Sequence, residues 1–277
     1  MVLANSVSDF YTQQSSTYDK IEGCSYWEKL YLEYNKLVQN HLHSKKPRTL
    51  DLGCGTGLTT SLLMQTRNEA VGLDLTWRLL KTAQGKYNTH HFSPINAEIT
   101  HIPFQDKSFE RIICLNTLEH IEDIEQALAE IARICEKGGE FLFDIPSSSI
   151  FDVSYFLGHY GKNGLVSALQ GMYKNKVMFE WESHDDNFEP IKVKTYRYNP
   201  RFFEKLVSSY GFEIVGKRGV HISTMIIPEK IQANSFSPFL SVINKKLEKI
   251  DDRLNSFSFF KNHALYILYE CRMREND

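Results

Sequence analysis

The sequence predicts an α/β fold built on a doubly wound, mostly parallel sheet, and three observations carry that expectation. Strand-length apolar runs at 49–53, 69–74, 90–95, 110–115 and 140–145 alternate with helical periodicity at 57–66, 76–86 and 123–135. The connections between them are short, as right-handed β-α-β crossovers with helices on both faces require. The first strand also runs directly into Gly53-Cys54-Gly55-Thr56-Gly57. That turn falls at the carboxyl edge, where open α/β sheets bind ligands.

The elements follow in order. Residues 1–45 read as a helical entry segment, with Trp27, Leu30, Tyr31, Tyr34, Leu37 and Val38 on one apolar face. Lys45-Lys46-Pro47-Arg48 is a solvated linker, and 46–146 forms the core of the sheet. Gly138-Gly139 is expected to break the 123–135 helix ahead of a strand over Glu140–Asp144. After Pro146 the regular alternation lapses, and 147–198 is a first insertion with strands at 176–182 and 191–198. Asn199-Pro200 is an N-cap followed by a residue suited to the first helical turn, so a helix over Arg201–Tyr210 follows, stopped by Gly211. Residues 199–277 then complete the sheet with strands at Phe212–Lys217 and Ala264–Cys271. A second insertion at 222–260 holds an amphipathic helix around Phe239–Leu254. The two insertions are expected to cap the carboxyl edge.

Composition narrows the function classes. The 277 residues are 42% hydrophobic and carry a net charge of −2, which argues against a general nucleic-acid binder. Five widely spaced cysteines with no C-x-x-C pair fit free thiols in a reducing compartment better than a disulfide framework or zinc site. Met1–Phe10 shows no secretory pattern, and no run approaches the roughly 18 apolar residues that span a bilayer. A cytoplasmic protein without stable membrane insertion is expected, either monomer or homodimer.

The glycine turn narrows the ligand. Gly53, Gly55 and Gly57 are spaced G-x-G-x-G, and Leu58 stands where a dinucleotide fingerprint has its third glycine. No G-K-S/T follows, so the turn is not a P-loop either. Asp74 closes the next strand, where a carboxylate can accept hydrogen bonds from both hydroxyls of a ribose. The pattern suits an adenosine-containing ligand held without a pyrophosphate grip.

These and later segments resemble the class I S-adenosylmethionine-dependent methyltransferases. Asn96-Ala97-Glu98, Ile102-Pro103-Phe104 and Ser108-Phe109 resemble the segment after the family's third strand. Asn116-Thr117-Leu118-Glu119-His120-Ile121 resembles its fourth-strand edge, and Glu136-Lys137-Gly138-Gly139 its late glycine turn. The run Phe203–Phe212 resembles its late helix. The resemblance covers roughly 45–146 and 199–272. It implies a Rossmann-like, seven-stranded sheet with an antiparallel last strand and S-adenosylmethionine as cofactor. The residues themselves point to metal-independent chemistry, since the one Asp-Asn pair, Asp186-Asn187, falls in the first insertion and no His/Cys cluster has ligand spacing. By the same resemblance, Asp51 and the turn Gly53, Cys54, Gly55 and Gly57 would hold the cofactor's amino-acid end. Asp74 would bind the ribose, Leu75, Asn96 and Ala97 the adenine, and Asn116, Thr117 and Leu118 would lie beside the sulfonium. Tyr11 and Tyr18 resemble an N-terminal aromatic motif that closes over the cofactor. The chain departs from the pattern at Asn96, where an aspartate is usual, at Glu110-Arg111, and at Lys137, which no proline follows.

Methyl transfer to a hydroxyl, phenol or acidic carbon needs a base, and His120 is the leading candidate; the alternative is a structural histidine bridging loop and helix. Tyr11, Tyr155, His159, Tyr160, Trp181 and His221 could touch the acceptor. The aromatic first insertion suits an apolar or aromatic small molecule, unless its rings form only the cap's own core. The 236–254 helix could either pack on the sheet or touch an anionic membrane peripherally. The sequence therefore points to methylation of a small molecule, with O-methylation of a quinone precursor or secondary metabolite favoured. C- and N-methylation, a lipid-linked substrate, and a non-catalytic regulator that binds the cofactor remain as alternatives.

Overall fold

The computed structural model describes residues 2–15, 18–19, 25–42, 48–65, 70–87, 92–148, 174–182, 191–223 and 238–275. Two helices, α1 (Val2–Gln14) and α2 (Ser25–His41), precede the alternating run. That run is β1 (Thr49–Leu52), α3 (Thr60–Gln65), β2 (Ala70–Asp74), α4 (Trp77–Lys86), β3 (Phe92–Asn96), β4 (Phe109–Cys114), α5 (Ile124–Ile134) and β5 (Cys135–Pro146). A hairpin of β6 (Lys176–Glu182) and β7 (Lys192–Tyr198) follows, then α6 (Pro200–Ser209), β8 (Phe212–Val220), α7 (Pro238–Leu254), α8 (Ser258–Asn262) and β9 (Tyr266–Met273).

Among the described residues, seven strands form one sheet in the order β3-β2-β1-β4-β5-β9-β8. β9 is antiparallel to both of its neighbours, whereas β1 to β5 are parallel. The expected Rossmann-like architecture is therefore present, antiparallel strand included. The strand order reverses between β1 and β4, and the register aligns Asp51 of β1 with Gly72 of β2 and Ile113 of β4. That alignment brings the ends of all three strands to one switch point.

Local chemistry explains most element ends. Asn199 caps α6, its side chain accepting from the backbone N–H groups of Arg201 and Phe202, with Pro200 at the first helical position. Asp123 caps α5 by accepting from Gln126 N–H. The role expected of Gly138-Gly139 is corrected. The helix already stops at Ile134, and β5 begins at Cys135, paired with Phe109. The glycines lie in a bulge before pairing resumes at Arg111 and Glu140, with Gly138 at φ +73°. A Cβ on Gly139 would lie 2.8 Å from the Glu136 carbonyl, so the bulge is closed too tightly for a side chain.

The core has two faces. On one, Phe141, Phe143, Phe203, Phe212 and Tyr269 cluster, with Phe143 stacked on Tyr269 at 5.0 Å between ring centroids. On the other, α2 lays Leu30, Tyr34 and Val38 against Ile113 and Leu142. The end of α7 is fastened to the sheet: Asn255 exchanges hydrogen bonds with the Gly219 backbone, and Asp251 accepts from Ser223 N–H at 2.6 Å. β7 packs on α1 and on the Leu118–His120 turn, which places the hairpin beside the switch point. No helix among the described residues is long and apolar enough to cross a membrane.

At the base of α2, the His41 ring bridges Glu140 and Glu270 at 3.2 and 3.1 Å. Hydrogen bonds from these two carboxylates outweigh burial and raise its pKa to about 9. Because the folded value exceeds the unfolded one, this contribution to stability is full below pH 6.5 and is lost as pH rises through 9. Thermal melts should therefore fall more steeply between pH 6.5 and 9 in the native chain than in His41→Gln. Parallel curves would refute the bridge.

Candidate active site

Three chain segments converge on the switch point. The first is the glycine turn after β1. Gly53 N–H and Cys54 N–H both donate to the Leu73 carbonyl of β2, which draws the turn across the neighbouring strand. Gly53 adopts φ +70°, and a Cβ there would lie 2.2 Å from Thr117 Oγ1. The turn is thus seated against the β4 edge at a distance only glycine allows.

The second segment is the end of β2. Asp74 Oδ2 accepts from Gly55 N–H at 2.8 Å, and Oδ1 accepts from Thr76 N–H at 2.7 Å. Each oxygen retains a lone pair for a further donor. Burial pushes the Asp74 carboxyl upward, against the pull of those two amides.

The third segment is the end of β4. Asn116 sits at φ +53°, a left-handed conformation that asparagine tolerates better than most residues, and its N–H donates to Asp144 Oδ1 at 2.7 Å. A non-glycine residue held in this region by a buried carboxylate is the kind of strain that accumulates at functional sites.

Between these segments and α1 lies a cavity of about 600 Å³. Tyr11, Tyr18, Gly53, Gly55, Asp74, Leu75, Ala97, Asn116, Thr117 and His120 line it. A smaller side cavity continues beside Asn116, lined also by Asp51, Cys54, Tyr31 and Tyr34. Asp51 is held there by the Thr60 hydroxyl at 2.6 Å, and burial raises its carboxyl to about 7. α1 and the turn after it contribute Val7, Tyr11 and Tyr18 to the cavity wall. Asp19 ties that segment to the glycine turn through Thr56 Oγ1 at 2.5 Å and to α4 through Lys86 Nζ at 2.6 Å.

His120 and Tyr11 meet at the same cavity, with the Tyr11 hydroxyl 2.7 Å from His120 Nε2. His120 Nδ1 is buried and has no hydrogen-bond partner. Burial lowers the imidazole to about 4, so it is neutral near pH 7. The Tyr11 phenol is pushed well up by burial and stays protonated.

Several residues proposed from sequence stand elsewhere. Gly57 lines neither cavity: a Cβ on it would meet the Tyr87 ring at 2.6 Å, so it serves the packing of α4. The Cys54 side chain packs with Leu80, Ala83 and Phe92, although the residue borders the side cavity. Leu118 is fully buried in the main core. Asn96 lines neither cavity; its amide donates to the Asp74 and Leu75 carbonyls at 2.9 and 2.8 Å and so braces the loop after β2. His221 is buried at the end of β8 with φ +59° and also lines neither cavity. Trp181 lies in β6 opposite Val193. Tyr155, His159 and Tyr160 fall outside the described residues.

Sequence reasoning missed the Asp19 latch and Asp144. For Asp144 the signal was present: an acidic residue inside the apolar run Phe141–Ile145 must have buried partners. Among the described residues, no group of three or more His, Cys, Asp or Glu side chains is arranged to hold a metal ion.

The donor set fits an adenosine sulfonium amino acid. Asp74 keeps outward lone pairs for ribose hydroxyls, and Leu75, Leu79 and Ile99 supply apolar flanks for a base. A Cβ on Gly55 would meet only Leu79 and Tyr18, both at 3.8 Å, so the turn leaves that space to a ligand.

Comparisons with known proteins agree. The family described as "Methyltransferase domain" matches residues 50–143. The uncharacterized protein MJ0638 of Methanocaldococcus jannaschii is 32% identical over 245 residues, 88% of this chain and 86% of that protein. A ubiquinone biosynthesis O-methyltransferase of Methylococcus capsulatus is 29% identical over 135 residues, 47% of this chain and 56% of its own length. In fold, the chain resembles an S-adenosylmethionine-dependent methyltransferase from Mesorhizobium loti, with TM-score 0.56, 14% identity, and coverage of 87% of this chain and 97% of that one. With the switch-point cavity, the matched domain and these relatives in view, the chain belongs to the class I methyltransferases, enzymes that use S-adenosylmethionine.

Proposed function

We propose that this methyltransferase transfers its methyl group to the hydroxyl of a small aromatic molecule, with Tyr11 and His120 removing the acceptor's proton. The observation that carries this reading is the 2.7 Å contact between the Tyr11 hydroxyl and His120 Nε2 at the cavity wall. The O-methyltransferase relative lends support.

S-adenosylmethionine supplies an already activated methyl group, so the chain's work is alignment and proton management. Asp74 orients the ribose, the Gly53–Gly55 turn and Asp51 take the amino-acid end, and Leu75 and Ala97 flank the adenine. Asn116 and Thr117 border the reactive region. Tyr18 and the α1 segment close the mouth and exclude water. His120 is neutral because it is buried, so Nε2 can accept a proton from Tyr11 as the Tyr11 oxygen accepts one from the acceptor.

The low basicity of His120 also limits the acceptor. A base held at about 4 has little driving force against a water-like hydroxyl of pKa about 15.7, and rather more against a phenol near 10. A phenolic acceptor therefore suits this base better than an aliphatic hydroxyl.

Steady-state kinetics on a panel of phenols with labelled methyl donor would test this. In His120→Ala, kcat should fall about 10²–10⁴-fold, a typical worth of general-base assistance, while calorimetric affinity for S-adenosylmethionine stays within threefold. Undiminished kcat in this variant would dismiss His120 as the base.

A further inference from the structure

We propose that the solvent face of α7, together with the Phe257–Phe259 segment that follows it, docks on an anionic lipid surface. Docking there does not depend on which acceptor the enzyme methylates.

Helical spacing lays the face out. Lys249, Ile250 and Arg253 follow Lys246 at the third, fourth and seventh positions along α7, which puts all four on one side of the helix. Phe257 falls at the next step of the same series, just past the helix end. All five are exposed, Ile250 at 44% and Phe257 at 60%, and Phe259 adds a second ring at 55%. The other side of α7 is committed to the protein. Asp251 and Asn255 are buried and bonded to Ser223 and Gly219, and Leu254 packs on the main core, as Phe260 does from α8. The helix therefore packs with one side and presents a mixed basic and apolar stripe with the other.

The charge of that stripe is uncompensated. Among the described residues, no ion pair involves the side chains of Lys246, Lys249 or Arg253. The nearby Asp252 carboxylate already accepts from Arg218 Nη2 at 2.7 Å, and Glu248 falls outside the series.

Charge and chemistry together select the occupant. A second copy related by a two-fold axis would bring these cations against one another, and they would repel. The net charge of −2 speaks against a nucleic acid. Cations set beside exposed rings match the boundary of an anionic bilayer, where the rings enter the acyl region and the long basic side chains stay with the phosphates. The patch also stands at the sheet edge that carries the cavity. The segment after it leads into Tyr266, the first residue of β9, which pairs with Pro146 at the carboxyl end of β5 and with Val220 at the end of β8. Contact of this kind is peripheral, since no described helix can cross a membrane.

Flotation of the full chain with lipid vesicles tests the docking. Vesicles of phosphatidylcholine with about one-third phosphatidylserine should carry the protein at low salt, and pure phosphatidylcholine should not. Salt at about 0.5 M should release it, because screening then acts within a few Å. In Lys246→Gln/Lys249→Gln/Arg253→Gln the partition coefficient should fall about a hundredfold, at roughly fivefold per cation. In Phe257→Ser/Phe259→Ser it should fall about tenfold or more, as two rings no longer leave water. Lys107→Gln/Lys205→Gln, which removes exposed cations elsewhere, should bind like the native chain. Circular-dichroism melts identify any variant that fails to fold, and the comparison of vesicles and salt on the native chain stands without it. Absence of binding to anionic vesicles at low salt would overturn the proposal, as would binding that survives both α7-face variants. Loss in the cation variant with none in the phenylalanine variant would overturn it too, because the face would then be a site for polyanions in general.

Discussion

Replacing Asp74 by alanine is expected to weaken S-adenosylmethionine binding by about 10²–10⁴-fold. The figure follows from two charge-assisted hydrogen bonds to ribose hydroxyls, each worth about 1.5–3 kcal/mol. The same carboxylate already holds Gly55 N–H and Thr76 N–H, so its removal also frees the two backbone donors that shape the turn. Affinity for S-adenosylhomocysteine should fall by a similar factor, because the ribose is common to both ligands. Asp74→Asn should fall between the two, since its amide oxygen can serve only one of the two backbone donors while its NH₂ opposes the other. Calorimetric dissociation constants for the three proteins provide the test. A change of less than threefold in Asp74→Ala would remove this residue from the ribose site.

The largest effect on stability should come from Gly53→Ala. A left-handed φ costs a residue with a Cβ about 1–2 kcal/mol, and Gly53 stands at +70°. The added methyl would also overlap Thr117, 2.2 Å from Oγ1 and 2.8 Å from Cβ. Forcing a methyl group into a filled space costs about 1–3 kcal/mol. Together these lower the melting temperature by roughly 4–20 °C, at 2–4 °C per kcal/mol for a chain of this size class. Adding Thr117→Ala should recover only part of the loss, because the Thr117 Cβ position remains crowded and the backbone cost is untouched. Full recovery in the double variant would show that sterics alone explain the glycine. No loss in the single variant would show that the turn does not seat as described.

The reach of sequence reasoning in this protein depends on distance along the chain. The sheet, its switch point and the turn at Gly53–Gly55 are written in local signals: apolar period, short connections and glycine spacing. The antiparallel strand came from resemblance, since nothing in the run Tyr266–Met273 states the direction in which it pairs. The Tyr11–His120 contact spans 109 positions, and no local pattern announces it. Spacing also misleads where one residue type serves two purposes. Gly53 and Gly57 look equivalent in G-x-G-x-G, yet one is crowded by Thr117 at the cavity and the other by Tyr87 on α4. Asn96 presents the same difficulty: its amide can bond a ligand or a loop, and here it bonds the Asp74 and Leu75 carbonyls. His221 was singled out for its residue type, but burial at the end of β8 sets it apart from both cavities.

The place of β9 between β5 and β8 has a consequence for how the chain is made on the ribosome. All the strands that carry the switch point, β1 to β5, emerge before Pro146 is complete, yet the outer edge of β5 finds its partner only when Tyr266–Met273 appears. At 5–20 residues per second, the nascent sheet would wait on the order of ten seconds with Phe141, Phe143 and Ile145 on an unpaired edge strand. An open apolar edge of that kind is a template for pairing with other chains. Synthesis of this methyltransferase should therefore be most prone to aggregation, and most dependent on chaperones, during the interval between its fifth strand and its last.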